Sequence, residues 1–153
     1  MKINIVDVVE YKYPGQILKN NVSFRQLSPN EIVIALWTVP NEPQPTEQEL
    51  IDYGIANARA IEISMTASNA AQQSQLIIDA TARSKQYADG VSCASYSTSS
   101  NVQWKNEAIA FIDWRDSVWN YLYALLATIS GGSDPIPPVQ QILDGIPPMV
   151  WPN

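Results

Sequence analysis

The sequence contains no histidine and a single cysteine, Cys93, and these two shortages remove most of the usual catalytic and metal-binding chemistries. Without histidine, Ser-His-Asp triads and Cys-His dyads are excluded, as are zinc sites built from thiolates and imidazoles within one chain. One cysteine cannot form an intrachain disulfide. Because the nearest basic residue along the chain is Lys85, we interpret Cys93 as an unreactive thiol.

Long apolar runs and basic residues are also scarce. No run approaches the ~18 apolar residues of a membrane span, and residues 1–4 lack the layout of a signal peptide. Nine Lys and Arg against fifteen Asp and Glu give a net charge of -6, which repels the phosphates of nucleic acids. We therefore expect a soluble, intracellular protein that binds neither nucleic acid nor membrane.

The 153 residues suffice for one ordinary domain or for two small units joined end to end. Acidic and basic residues balance in residues 1–46, so the whole net charge falls on residues 47–153. The hydrophobic period changes at the same place. This coincidence predicts a boundary near the proline-rich residues 40–46.

The first part of the chain has the pattern of a small antiparallel sheet. We predict strands over residues 2–10, 22–26 and 31–37, because these segments are rich in β-branched residues or alternate in polarity. Residues 28–30 suit a turn between the last two strands. The third strand is almost continuously apolar, so we expect it to be covered on both faces.

A helix is predicted to begin at Thr46, because Thr46 and Glu49 form a capping-box pattern. Its apolar stripe and the absence of proline predict that it continues to about Tyr87, with a stop at Asp89-Gly90. Residues 64–101 are mostly small and polar. This leaves two alternatives: a half-exposed helix with a mobile loop at residues 92–100, or a close-packed seam within the chain or between copies.

A second helix is predicted over residues 102–129, where apolar residues recur in steps of three and four. Two long helices joined by a loop make an antiparallel helical hairpin. The proline-rich end allows one short helical turn at residues 139–143. The predicted fold class is therefore α+β, with a small β domain (1–39), a Pro-rich linker (40–46), a helical hairpin (47–132) and a Pro-rich docking tail (133–153).

Carboxylates are the remaining option for acid–base catalysis. Asp113 and Asp116 lie three residues apart on the second helix, and the alternative to a catalytic pair is a solvated surface where Arg115 reaches a neighbouring carboxylate. Phosphate-binding loops and calcium loops are missing from the sequence. We predict that the protein is not an enzyme and uses no cofactor or metal.

Aromatic residues are concentrated in the second helix. Most of them can simply cover the sheet and the first helix. Trp114 and Tyr121, however, flank the main apolar stripe of the second helix, and both are residue types that often anchor a partner protein at an interface. Basic residues are too few here for nucleic-acid stacking. Trp151 close to the end either tucks into a groove of its own domain or docks on another chain.

Three segments match a known pattern. Residues 34–50 contain W-x-x-P-x-x-P-x-P-T-x-x-E-L, residues 113–121 contain W-R-D-x-x-W, and residues 146–152 have an L-P-x-x-x-W-P-like ending. Together they resemble the tail-fibre assembly proteins of tailed bacteriophages. The resemblance implies a protein that binds the tail-fibre protein in the host cytoplasm and helps it to fold, trimerise or attach, sometimes remaining on the finished fibre.

Two readings of this resemblance stay open, an assembly chaperone and a permanent subunit of the virion tail, such as a baseplate or fibre-attachment component. A helper of this kind needs a binding surface rather than chemistry, and a free sheet edge could add a strand of the partner. Self-association through the hairpin also stays open. The residues predicted to contact a partner are Trp37, Trp114, Tyr121, Met149, Trp151 and Pro152.

Overall fold

A computed structural model describes residues 3–28, 31–132 and 134–152 and has the predicted α+β class. The chain divides into two compact units, residues 1–65 and 66–153, so the proline-rich residues 40–46 lie inside the first unit. None of the described helices is long and apolar enough to cross a membrane. The elements are α1 (Ile5–Lys12), β1 (Val22–Ser28), β2 (Glu31–Trp37), α2 (Glu47–Ala56), α3 (Ala58–Ser84), α4 (Gly90–Ser95), a 3-10 turn (Tyr96–Thr98), α5 (Val102–Gly131) and α6 (Val139–Asp144).

The strand predicted over residues 2–10 is wrong, because the chain forms helix α1 there. The side chain of Asn4 caps this helix by accepting a hydrogen bond from the amide of Val6. Val8 and Val9 are both buried in the core of the first unit. Their burial outweighs the preference of β-branched residues for strands.

The other two predicted strands are confirmed as an antiparallel pair, in which Val22 lies opposite Trp37 and Phe24 opposite Ile34. The register shifts after Ser23 and again after Gln26, which marks irregularities in the ladder. The predicted turn residues Pro29 and Asn30 lie outside the described part of the chain. The expectation that residues 31–37 are covered on both faces is wrong, since none of them is fully buried.

Helix α2 begins with the predicted capping box: Thr46 accepts from the amide of Glu49, and the Glu49 carboxylate accepts from the amide of Thr46 at 2.7 Å. The prediction of one helix to Tyr87 is wrong, because Asn57 separates α2 from α3. The backbone and side-chain nitrogens of Asn57 both donate to the carbonyl of Tyr53, which ends α2.

In the second unit, α3 from Thr66 onward and α5 form the predicted antiparallel hairpin. Ala70 shares a buried cluster with Leu122, and Ile78 shares another with Phe111. The buried positions of α3 in this unit combine three small residues with one large aliphatic residue. These positions are Ala70, Ser74, Ile78 and Ala82.

The mobile loop expected at residues 92–100 is wrong, because α4 and the 3-10 turn occupy most of this stretch. Asp89 is the N-cap of α4 and accepts from the amide of Ser92, so it starts a helix after α3 has ended. Cys93 on α4 is fully buried in the cluster that contains Phe111. Burial of this helix explains why a serine-rich sequence is ordered here.

Residues 134–152, which we call the C-terminal arm, lie along α5 in the opposite direction. The short helix predicted at residues 139–143 is confirmed as α6. Ile142 in α6 is buried with Leu122 of α5. Trp151 near the end of the arm stacks on Phe111, which lies eleven residues before Leu122 in α5. The arm therefore covers a long stretch of the helix.

Candidate protein-interaction site

The outer edge of β2 is unpaired. β1 pairs with β2 on one side only, and in the described part of the chain no other segment makes a backbone hydrogen bond to β2. Proline and basic residues usually protect an exposed edge, and residues 31–37 contain neither. Such an edge offers a row of donors and acceptors to an added strand.

A groove of about 200 Å³ lies beside this edge. One wall is β2 itself and the other is the extended chain that leads into α2. Leu50 and Pro45 are both buried at this place, so the groove is backed by packed residues of the first unit. The lining residues are Ile5, Ile32, Val33, Ile34, Gln44, Pro45, Thr46, Glu47 and Leu50.

The two edges of the sheet differ in character. On β1, Ser23, Arg25 and Gln26 are exposed and polar, whereas the half-buried residues 32–34 of β2 are all apolar. Glu47 is a charged residue of the groove lining, and Arg25 of β1 lies opposite the lining residue Val33 in the register. The mainly apolar lining suits an extended apolar segment.

Trp37, a predicted partner contact, lies at the end of β2 and is half-buried. Its indole nitrogen donates to the carbonyl oxygen of Glu42 at 2.9 Å, and its ring packs edge-on against Tyr13 with centroids 5.0 Å apart. These contacts hold the chain after β2 against the end of α1. Trp37 therefore has a structural role within the first unit.

Trp114 and Tyr121 hold the C-terminal arm. Trp114 is only 8% exposed, and its indole nitrogen donates to the carbonyl oxygen of Pro147 at 2.7 Å. The hydroxyl of Tyr121 donates to the carbonyl oxygen of Ile142 at 3.0 Å. The structure thus shows both side chains bound to the arm of the same chain.

The predicted contacts in the arm lie on the same unit. The Trp151 ring stacks on Phe111 with centroids 6.1 Å apart and 11° between the planes, and the Lys85 ammonium lies 5.6 Å from that ring. Met149 packs against the same cluster, and Pro152 is half-buried. Trp151 was expected either to pack in a groove of its own domain or to dock on another chain, and the structure shows the first of these.

A larger cleft of about 720 Å³ in the first unit surrounds Lys12. The Lys12 ammonium lies 4.8 Å from the ring centroid of Tyr53 and 5.3 Å from that of Tyr13, within the range of cation–π contacts. Lys12 therefore occupies the place that a cationic ligand would take. The acidic residues that line this cleft are Glu42, Glu49 and Asp52.

Glu107 is buried, with 5% of its surface exposed, at the loop end of the hairpin. It accepts hydrogen bonds from Tyr87 at 2.9 Å and Gln103 at 3.2 Å, and Lys85 lies 3.6 Å away. Burial alone would raise the pKa of Glu107, but these three neighbours outweigh it and hold the pKa below its ordinary value. Burial, with the Glu107 carboxylate beside it, raises the pKa of Tyr87.

The remaining chemical candidates are arranged as follows. Asp113 and Asp116 are both exposed, and Arg115 pairs with Asp116 at 3.0 Å. Burial raises the pKa of the Cys93 thiol to about 11, so it is protonated at neutral pH. Among the described residues, no group of three or more acidic or cysteine side chains is placed to hold a metal ion.

Sequence reasoning anticipated a free sheet edge but missed the groove and the Glu107 cluster. The groove is lined by Ile5 of α1 and Leu50 of α2, which are far apart in the sequence. Glu107 had a detectable signal, since it lies four residues before Phe111 on the apolar face of α5. An acidic residue among apolar residues on such a face indicates that its carboxylate is buried beside a hydrogen-bond donor or a basic side chain of the same chain.

No protein-family model matches the chain, and neither a curated protein nor a solved structure matches it.

Proposed function

We propose that this chain is a non-enzymatic phage tail-fibre assembly protein that binds an incompletely assembled fibre protein at the outer edge of β2. The observation that carries the proposal is the unpaired apolar edge of β2 beside the groove at Leu50. The motifs in residues 34–50, 113–121 and 146–152 supply the class of partner. Binding takes place in the host cytoplasm during assembly.

The physical need for such a protein arises from the partner. A fibre subunit that has not yet met its two partners exposes apolar strand edges, and these edges favour aggregation. Pairing one of them with β2 satisfies its backbone groups reversibly, without covalent chemistry. The acidic surface of this chain, with a net charge of -6, keeps the complex soluble and favours a partner strand with basic flanks.

The test is co-expression of this chain with the tail-fibre gene of the same phage, followed by measurement of soluble trimeric fibre. Val33→Glu is the informative variant, because Val33 lines the groove and lies opposite Arg25 in the register. The new carboxylate can pair with Arg25, so the hairpin is retained while a charge enters the binding edge. We expect the yield of trimer to fall at least tenfold.

Gln26→Glu is the matched control, since it adds the same charge to the exposed strand β1. It should leave the yield unchanged. Fibre that trimerises equally well without this chain, or with Val33→Glu, would contradict the proposal. Peptide mass mapping of purified particles separates a helper that leaves from a permanent subunit of the virion tail, because only the second is present at fixed stoichiometry.

A further inference from the structure

A pocket of about 440 Å³ lies at the loop end of the hairpin, and all of its lining residues belong to the second unit. Its walls come from the end of α3 and the residues that follow it, from the 3-10 turn and from the first two turns of α5. We call it the tip pocket. The lining residues are Ser84, Lys85, Gln86, Tyr87, Tyr96, Gln103, Trp104 and Glu107.

Three aromatic rings form an angular wall of the tip pocket. The ring centroid of Tyr96 lies 5.5 Å from that of Tyr87 and 5.6 Å from that of Trp104, with 56° and 80° between the respective planes. Rings that touch at such steep angles hold one another in place. Tyr96 is nevertheless 37% exposed and Trp104 46% exposed. Both rings therefore keep apolar surface in water, and covering this surface with a ligand is favourable.

Hydrogen-bonding groups accompany these rings in the lining. Gln103 donates through its side-chain nitrogen to the Glu107 carboxylate at 3.2 Å, which leaves its carbonyl oxygen as an acceptor. Within the described part of the chain, the indole N–H of Trp104, the hydroxyl of Tyr96 and the side-chain amide of Gln86 have no hydrogen-bond partner. A ligand in the tip pocket therefore meets both donors and acceptors beside the aromatic surface.

The charges of the tip pocket cancel each other. Among its described lining residues, the charged side chains are Lys85 and Glu107, and the Lys85 ammonium lies 3.6 Å from a Glu107 carboxylate oxygen. Because the two charges are neighbours, an ionic ligand that is attracted by one of them is repelled by the other. The tip pocket therefore suits an uncharged ligand.

Gln86 has an unusual backbone conformation at this place. Its φ of 69° lies in the left-handed region, and its amide donates to the carbonyl of Arg83 at 2.9 Å just after α3 ends. The residue that follows a helix in this conformation is usually glycine or asparagine, because a larger side chain is strained there. With glutamine the strain is accepted and a side-chain amide enters the lining of the tip pocket. Strained residues of this kind concentrate at ligand sites.

We propose that the tip pocket binds an uncharged sugar ring. A pyranose has a face of C–H groups that can lie on an aromatic ring, and hydroxyls around it that both donate and accept. The exposed rings of Tyr96 and Trp104 match the C–H face, and the side-chain amides of Gln86 and Gln103 match the hydroxyls. A wholly apolar ligand would bury these amides without partners, which is unfavourable. This inference concerns the second unit and does not depend on the proposed fibre partner.

Titration of the full-length chain with single sugars, followed by nuclear magnetic resonance, tests the proposal. The five tryptophans give separate indole N–H signals, and the signal of Trp104 is the one that Trp104→Phe removes. Glucose, galactose, mannose and N-acetylglucosamine are added one at a time. We expect at least one of them to shift the Trp104 signal saturably at millimolar concentration and to leave the signal of Trp37, in the first unit, unmoved. The absence of a saturable shift with all four sugars would overturn the proposal.

Gln86→Gly is the informative variant, because glycine accepts the left-handed backbone without strain while the side-chain amide is removed. Its stability should be unchanged or raised, yet its affinity for the sugar, followed at the backbone amides of the lining residues, should fall at least threefold. Trp104→Ala should lower the affinity at least tenfold. Val102→Ala is the matched control, since Val102 is 69% exposed near Trp104 but does not line the tip pocket. It should bind like the parent chain.

Three further probes define the class of ligand. Adenosine presents a flat aromatic face and choline presents a cation, so tighter binding of either than of every sugar would overturn the proposal. Sugar binding of unchanged affinity in both Gln86→Gly and Trp104→Ala would also overturn it, because the sugar would then lie elsewhere. Lactose, compared with galactose, distinguishes the source of the ring: tighter binding of lactose indicates a glycan, equal binding indicates a free sugar, and both support the proposal.

Discussion

The indole nitrogen of Trp114 lies 2.7 Å from the carbonyl oxygen of Pro147, a residue 33 positions later in the chain. Trp114 is 8% exposed, so this hydrogen bond is sheltered from water. It joins the middle of α5 to the middle of the C-terminal arm. The bond is therefore a sensitive point at which to test how firmly the arm is held.

Trp114→Phe should weaken the attachment of the arm. Phenylalanine keeps most of the apolar contact but has no N–H, so the carbonyl of Pro147 loses its donor. We expect a loss of about 1 kcal/mol in the free energy of unfolding, the typical net value of one hydrogen bond. Urea unfolding measures it. Trp104→Phe is the control, because Trp104 on the same helix is 46% exposed and its replacement should change stability by less than half as much.

Ser74→Ala should stabilise the second unit. The Ser74 hydroxyl is buried on α3, and no hydrogen-bond partner for it exists among the described atoms. An unsatisfied buried hydroxyl is costly, so its removal should raise the free energy of unfolding by up to about 1 kcal/mol. Thermal unfolding gives the direction of the change.

Ser117→Ala supplies the comparison for Ser74. Ser117 on α5 is half-buried, and its hydroxyl donates to the carbonyl of Trp114 at 2.6 Å. The same substitution there removes a satisfied group and should be neutral or destabilising. Equal responses at the two positions would mean that the Ser74 hydroxyl has a partner in solution.

Local signals in the sequence were sufficient for most elements. The capping box at Thr46, the three-and-four spacing of α5 and the alternation in β1 each depend on neighbours within a few residues. Helix α1 was missed because its valines favour strands. Its Asn4 cap and the acidic Asp7 in the first turn were visible signals, but burial of Val8 and Val9 decided the outcome.

The candidate sites depend on distant contacts, and this is why the sequence located them only in part. It picked out Trp114 and Tyr121 as unusual aromatics, yet their partners in the structure lie 33 and 21 residues away in the arm. No periodicity encodes such a pairing. In the same way, the groove beside β2 requires Ile5 and Leu50 to meet, which follows from tertiary packing alone.

Acid should weaken the second unit through Glu107. The pKa of this buried carboxylate lies below its ordinary value of 4.5, so folding favours the ionised form. Its contribution to stability is complete above pH 4.5 and is lost as the pH falls through the lower pKa of the folded state. We expect Glu107→Gln to cost about 1 kcal/mol at pH 7, where Lys85 loses its partner, and progressively less at lower pH.

Urea unfolding of the parent chain and Glu107→Gln at pH 7 and pH 3 measures this convergence. Asp116→Asn is the control, because the pair of Asp116 with Arg115 is exposed and such pairs contribute little. A difference between the parent chain and Glu107→Gln that stays constant with pH would show that the carboxylate titrates alike in both states.

Gly54→Ala should destabilise the first unit. A Cβ atom at this buried position of α2 would lie 2.7 Å from Cγ2 of Ile3 and 2.8 Å from Cγ2 of Val8, so α1 would have to move away. Overpacking of this kind typically costs about 1–3 kcal/mol, which exceeds the gain in helix propensity. Faster exchange of the α1 and α2 amides with solvent deuterium would localise the effect.

Gly131→Ala is the matched control, because a Cβ there meets nothing within 4 Å and stability should be unchanged or slightly raised. Unchanged exchange in Gly54→Ala would mean that α1 does not pack as closely on α2 as the structure has it.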